Sequence, residues 1–208
     1  MKNGPLLFTG LFLAFLISFA GLVLGAHGQL GRLVPYHDDT EGGSFPQRVS
    51  GLAARGQAVY ADLGCAACHT QQVRRPGFGS DKDRGWGERQ SVARDYIHQA
   101  RPQLGASRLG PDLANLGSRQ KSDEALYALL HGGSATHPAY KFLFETRTIA
   151  GEPSPKAVKV AGAARGTETV PTERARALVA YLLSLSTAYD YPEAKPLAPI
   201  AKAPEAKK

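Results

Sequence analysis

Cys65-Ala66-Ala67-Cys68-His69 is the stretch on which the reading of this chain turns. Two thiols two residues apart, followed at once by a histidine, form the C-x-x-C-H signature of covalent haem attachment. The spacing has a chemical reason. The thiols add to the two vinyl groups on one edge of the macrocycle, and the adjacent imidazole reaches the iron as proximal ligand. The chain's 2 cysteines are both in this string, so no disulfide framework claims them. A thioredoxin-like pair wants a βαβ context, which the surroundings lack. A zinc site would need two further ligands at characteristic spacing. One covalently bound haem c is therefore expected on Cys65 and Cys68, with His69 on the iron.

Upstream of the motif, Leu52, Val59, Tyr60 and Leu63 share one face at helical spacing, and Gly64 ends the run. The spacing predicts a helix from Gly51 to Leu63. Residues 27–50 are rich in Gly, Pro and charge without periodicity and read as a tether. Before them, no residue from Pro5 to Ala26 is charged. Leu6 to Gly25 would span about 30 Å as a helix, the hydrocarbon thickness of a bilayer. Leu24-Gly25-Ala26 is a poor small-x-small cleavage site, so residues 1–26 read as an uncleaved anchor rather than a signal peptide. Lys2 and the amino terminus precede the run. The sidedness rule puts that end in the cytoplasm and the large domain outside. With no ionisable group inside it, the segment can neither hold a haem nor relay protons.

Downstream, Gln71 to Leu109 is a long polar connection with the lone Trp86 and a short helical candidate at Val92 to Gln99. Gly110-Pro111-Asp112-Leu113 follows. In c-type cytochromes a proline at such a place packs beside the proximal imidazole, and its carbonyl can accept the His69 Nδ1 proton, fixing the tautomer. A plain Gly-Pro turn is the simpler reading of the same string. Further helices are predicted from Ser122 to Leu130, stopped by Gly132-Gly133, and from Thr172 to Leu185 on a stripe of Leu178, Tyr181, Leu182 and Leu185. From Pro192 the chain is Pro, Ala, Lys and Glu, too poor in large apolar groups to fold. No strand-rich stretch stands out. The expected class is all-α: one transmembrane helix, then a class I-like cytochrome c domain over 51–187 and a tail over 188–208.

The formal net charge is +7 over 208 residues. Haem propionates would offset part of it. The remaining excess suits an acidic protein face or an anionic membrane surface. The basic residues are scattered and no aromatic-basic motif accompanies them, which argues against nucleic acid.

The anchor, CAACHTQQVR, GWGERQSVARDYI, GPDLANLG and RALVAYLLSL together resemble the mono-haem subunit, subunit II, of cbb3-type cytochrome c oxidases. The resemblance runs from the anchor to about Ser186. It implies an electron-transfer cytochrome in a bacterial inner membrane, with its haem domain on the periplasmic side. Electrons would come from a further cytochrome c subunit and pass to the haem–copper catalytic subunit. It implies Cys65 and Cys68 as attachment sites, His69 as proximal ligand, Pro111 as its neighbour, and the 71–109 connection as a docking surface on the catalytic subunit, with Trp86, Arg94 and Tyr96 in contact. A haem-covering loop without a partner is the other reading of that connection.

One departure stands out. The family supplies its distal ligand as Met in a Met-Pro dipeptide ahead of aromatic residues. Here the string is Thr136-His137-Pro138-Ala139-Tyr140-Lys141-Phe142, and the only methionine is Met1. The resemblance thus points to His137 as distal ligand, giving bis-histidine coordination, with Tyr140 shielding that face; an open site, His131 or Lys141 are the alternatives. The chain lacks the second haem, the copper and the intramembrane histidines that oxygen reduction requires, so it is not catalytic by itself. The mono-haem subunit of a nitric oxide reductase, a free anchored shuttle, and a gas-binding haem sensor are the competing functions.

Overall fold

The computed structural model describes residues 3–120, 122–160 and 162–194. The tail expected to stay unfolded lies, from residue 195 onward, outside them. The chain divides into two compact units between Phe45 and Pro46.

The first unit opens with α1, Gly4–Leu30, the one helix among the described residues long and apolar enough to cross a membrane. Its side chains are exposed all round, as expected of a helix built to face lipid. Ala20–Gly25 winds as a π-helical turn inside it. A small hairpin follows, inside the stretch that reads as an aperiodic tether. Strands β1 (Tyr36–Asp38) and β2 (Gly43–Phe45) pair antiparallel, Tyr36 opposite Phe45. The turn is closed by Asp38 Oδ1, which accepts from Thr40 N at 2.8 Å and Glu41 N at 3.3 Å. An Asp two residues ahead of its donor is common turn chemistry.

In the second unit, α2 (Gly51–Asp62) packs on α5 (Glu173–Ser184). Gly56 marks the closest approach, since a Cβ there would stand 1.8 Å from the Ala177 carbonyl oxygen. α5 starts on Thr172, whose Oγ1 accepts from Ala175 N at 3.3 Å. Its buried face is Ala175, Leu178, Val179 and Leu182. The single turn α3 (Leu116–Arg119) and α4 (Asp123–Gly132) complete the helices. α4 contributes Leu126, Tyr127 and Leu130 to the same core, with Asp123 and Glu124 at its positive end. Truncating a side chain such as Leu178, which is 1% exposed, to Ala costs about 2–5 kcal/mol in cores of this kind.

The all-α class is a misreading. Strands β3 (Phe144–Thr148) and β4 (Thr167–Pro171) form a second antiparallel hairpin, Phe144 opposite Pro171. Each is short and rich in Thr, Val or Phe, which suit a pleated, half-buried surface. The chain therefore mixes helix with some strand. The helical candidate at Val92 to Gln99 contracts to one 3₁₀ turn, Ala93–Tyr96. The Asp95 carboxylate there is taken up by Val92 N at 2.9 Å and by Arg89, so it holds a loop in shape.

Candidate haem site

A cavity of about 450 Å³ opens in the second unit, lined by Tyr60 from α2, Cys65, Cys68 and His69 of the motif, Leu109, Gly110, Pro111 and Leu113, Leu126 and Leu130 of α4, the His137 loop, and Leu178 and Leu182 of α5. This lies within the range of cofactor pockets, about 300–1,000 Å³. Among the described residues, no charged side chain lines it. Cys65, Cys68, His69, Pro111, His137 and Tyr140, separated by up to 75 positions in sequence, all border this one space. His131 and Lys141 do not. The His131 ring instead packs edge-on against Phe144 at 5.1 Å.

His69 is held from two directions. Its backbone N–H donates to the Cys65 carbonyl at 3.0 Å, closing the turn of the motif. Its Nδ1 lies 2.8 Å from the Pro111 carbonyl oxygen. A carbonyl only accepts, so Nδ1 carries the proton and Nε2 keeps its lone pair for a metal. Gly110 lets the backbone lie flat against this ring: a Cβ there would stand 2.2 Å from His69 Cε1. The Cys65 thiol is not set up for thiolate redox chemistry. Burial pushes the Cys65 thiol up to about 11, the opposite of the lowering that marks a reactive cysteine.

His137 lies in the loop after α4. Ser134 N donates to the His137 carbonyl at 2.8 Å and His137 N to the Ser134 carbonyl at 3.3 Å, closing a tight turn, while Tyr140 N reaches back to the Leu130 carbonyl at 2.7 Å. The His137 ring is 5.9 Å from the Tyr140 ring and 6.2 Å from the His69 ring. Burial keeps the His137 imidazole below its usual range, the Pro138 backbone opposes this, and His69 adds to the lowering. The neutral ring is the ligating form. Its Nδ1 is buried with no hydrogen-bond partner.

These residues fit a haem. Two imidazoles each about 2 Å from one metal have ring centroids about 6 Å apart, and the observed separation is 6.2 Å. Among the described residues no group of three or more His, Cys, Asp or Glu could hold a bare ion.

The family model described as cytochrome c oxidase, mono-heme subunit/FixO, matches residues 15–162. The chain belongs to this family. No curated protein matches the chain. For a mono-haem oxidase subunit the count agrees, since the sequence carries 2 cysteines and hence one C-x-x-C-H. The matched stretch contains the haem motif, the GPDL string and the His137 loop.

The connection from Gln71 to Leu109 is woven into the fold. The Arg89 guanidinium and the Asp95 carboxylate form a bidentate pair at 3.0 and 2.7 Å, both side chains almost fully buried. Arg89 Nε also donates to the Tyr189 carbonyl at 2.6 Å. The Tyr96 hydroxyl donates to the Gln71 carbonyl at 2.7 Å. Arg94 pairs with Glu193, and Arg84 and Arg108 stack on Trp86. Residues read from sequence as docking groups thus have internal partners. Reading the sequence also missed Gly110 and Asp112. A charged residue between Pro111 and Leu113 in an otherwise apolar string was the signal that could have exposed the second.

Proposed function

We propose that this chain is the membrane-anchored electron-transfer subunit of a cbb3-type oxidase, passing electrons to the haem–copper catalytic subunit. The second unit is then a class I-like cytochrome c domain spanning about 51–187, tethered by 27–50 to an anchor at 1–26. The anchor's amino terminus faces the cytoplasm and the haem domain the periplasm. The reading is carried by one observation: His69 and His137 border the same uncharged cavity as the two motif thiols, 6.2 Å apart, in a member of a mono-haem oxidase family.

Bound there, haem iron supplies one-electron exchange between its ferrous and ferric forms. The protein's own groups do the rest. Cys65 and Cys68 hold the group through thioether bonds. His69 would ligate through Nε2, its Nδ1–H donating to the Pro111 carbonyl. His137 would supply the second ligand, with Tyr140 beside its ring. The leucines around them keep water away. The immediate electron donor is a further cytochrome c subunit.

The test is direct. Acidified organic solvent should leave one haem per chain on the purified protein, and the haem-bearing chain should co-purify from native membranes with a large polytopic subunit that consumes oxygen. Extraction of the haem by solvent, or a chain that purifies alone, overturns the reading.

A further inference from the structure

Asp112 directly follows the residue whose carbonyl takes the His69 proton, and its side chain is fully buried. A buried carboxyl group is costly unless several donors satisfy it. Three do. Thr70 Oγ1 donates to Oδ2 at 2.6 Å, Gln72 N donates to the same oxygen at 2.8 Å, and Ala114 N donates to Oδ1 at 2.9 Å. The Arg108 guanidinium stands 3.7 Å away. Two of these donors lie within three residues after the haem-motif histidine. The side chain therefore ties the segment carrying the imidazole to the segment carrying its acceptor.

The backbone repeats the tie on either side. Gly110 N donates to the Cys68 carbonyl at 2.9 Å and Leu113 N to the Thr70 carbonyl at 2.8 Å. The Arg119 guanidinium holds the Asp112 carbonyl at 2.5 Å. Arg108 is itself fixed by the buried Asp81, at 2.6 Å, and by the Gln72 carbonyl. The 2.8 Å contact of His69 with Pro111 is thus one rung of a ladder, between the Gly110–Cys68 bond and the Asp112 side chain.

We propose that Asp112 is a positioning residue that sets the strength of the His69–Pro111 hydrogen bond and, through it, the reduction potential of the haem. This rests on the haem reading above. An imidazole that donates to a firmly placed acceptor is a stronger electron donor to iron and favours the ferric form. A buried carboxylate close to that imidazole acts in the same direction, because it stabilises added positive charge. Asp112 holds the potential down on both counts.

The experiment uses the full-length haem-loaded protein in detergent. Asp112→Asn keeps the shape but replaces one acceptor oxygen with a donor facing other donors. The expected result is covalently retained haem with an upward shift in potential. The His69 Nδ1 proton, followed by NMR of the ferrous protein, should exchange with deuterium up to about tenfold faster, the worth of one hydrogen bond. Thr70→Val covers the case in which that variant fails to fold. It removes the 2.6 Å donor, keeps the carboxyl group and its packing, and should also speed exchange of the Nδ1 proton. A purely structural role for Asp112 would lower stability while leaving potential and exchange at parental values, and that result overturns the proposal. Loss of haem from the parent protein to solvent would instead sink the underlying haem reading.

Discussion

His69 and His137 border one cavity 6.2 Å apart, yet the chain holds them in unlike ways. His69 is fixed at the backbone by Cys65, at Nδ1 by the Pro111 carbonyl, and on its flat side by Gly110. Behind Pro111 stand two fully buried aspartates and two arginines. His137 is held by a turn that closes on itself between Ser134 and His137, and its Nδ1 has no partner. Metal-bound histidines usually donate their second nitrogen to an oriented acceptor. His69 has such an acceptor in the Pro111 carbonyl, whereas the His137 Nδ1 has none. The difference bears on how readily each position can be exchanged. A side chain on a self-contained turn can be exchanged without disturbing the scaffold. A residue wired into its neighbours at three points cannot.

The largest expected effect comes from breaking the proximal side. Cys65→Ala or Cys68→Ala removes one of the two thioether bonds, and both should weaken or abolish covalent haem retention, read by haem staining after denaturing electrophoresis. Undiminished staining in both would remove the motif from the haem site. On the distal side, His137→Ala should leave the covalent haem in place and open the iron to carbon monoxide, seen as a shifted Soret band on reduction. His137→Met should restore the family's sulfur ligation and raise the potential, because a thioether favours ferrous iron more than an imidazole does. A low-spin spectrum unchanged in His137→Ala would place the sixth ligand elsewhere.

What could be read from the sequence follows from how local each feature is. Cys65, Cys68 and His69 could be picked out together because haem-attachment chemistry demands that spacing within five residues. α5 was readable because Leu178, Tyr181 and Leu182 repeat at helical spacing over a long run. β3 and β4 were not. Each has five residues, they pair across the intervening segment 149–166, and nothing local tells Phe144–Thr148 that Thr167–Pro171 will lie beside it. The proline beside the proximal histidine could be named from the GPDL string. That Gly110 would touch the imidazole, and that Asp112 would bind Thr70 and Gln72 some 40 residues away, depends on chain return and is invisible to periodicity. In the 71–109 block, read as a docking surface, Arg89, Asp95 and Tyr96 also hold the loop to its own core, through bonds that no local pattern announces.

A pair of glycine substitutions sharpens the contrast at smaller scale. At Gly110 a methyl group would meet the His69 ring at 2.2 Å, whereas at Gly132, at the end of α4, nothing lies within 4 Å. Gly110→Ala should cost about 1–3 kcal/mol, the usual penalty for overpacking, and disturb the haem spectrum. Gly132→Ala should leave the spectrum alone and hold or slightly raise stability. Thermal melts of the two haem-loaded variants against the parent check both. Equal melting points and equal spectra would show that the Gly110 contact constrains nothing.

The smallest effect concerns the buried Arg74–Asp81–Arg108 brace. Burial alone would raise the Asp81 carboxyl, but hydrogen bonds from Arg74 and Arg108 outweigh it and bring the group down from 3.8 to about 2. A carboxyl group whose pKa is lower in the folded than in the unfolded protein stabilises the fold above its unfolded value, and that contribution disappears as pH falls through the folded one. The window is therefore between about pH 4 and pH 2. His137 runs the same way, but at higher pH. Its pKa is lowered by burial, so in haem-free protein folding is disfavoured once the pH drops below the ordinary imidazole range, before Asp81 is affected. In the haem-loaded protein, ligation should mask the histidine and leave the aspartate as the acid-sensitive element. Acid unfolding of haem-loaded protein, followed by far-ultraviolet circular dichroism, should accordingly steepen below pH 4, and Asp81→Asn should flatten that limb while lowering stability at neutral pH. An acid limb identical in parent and Asp81→Asn would mean that the Arg74–Asp81–Arg108 cluster adds no measurable acid sensitivity to the proximal side.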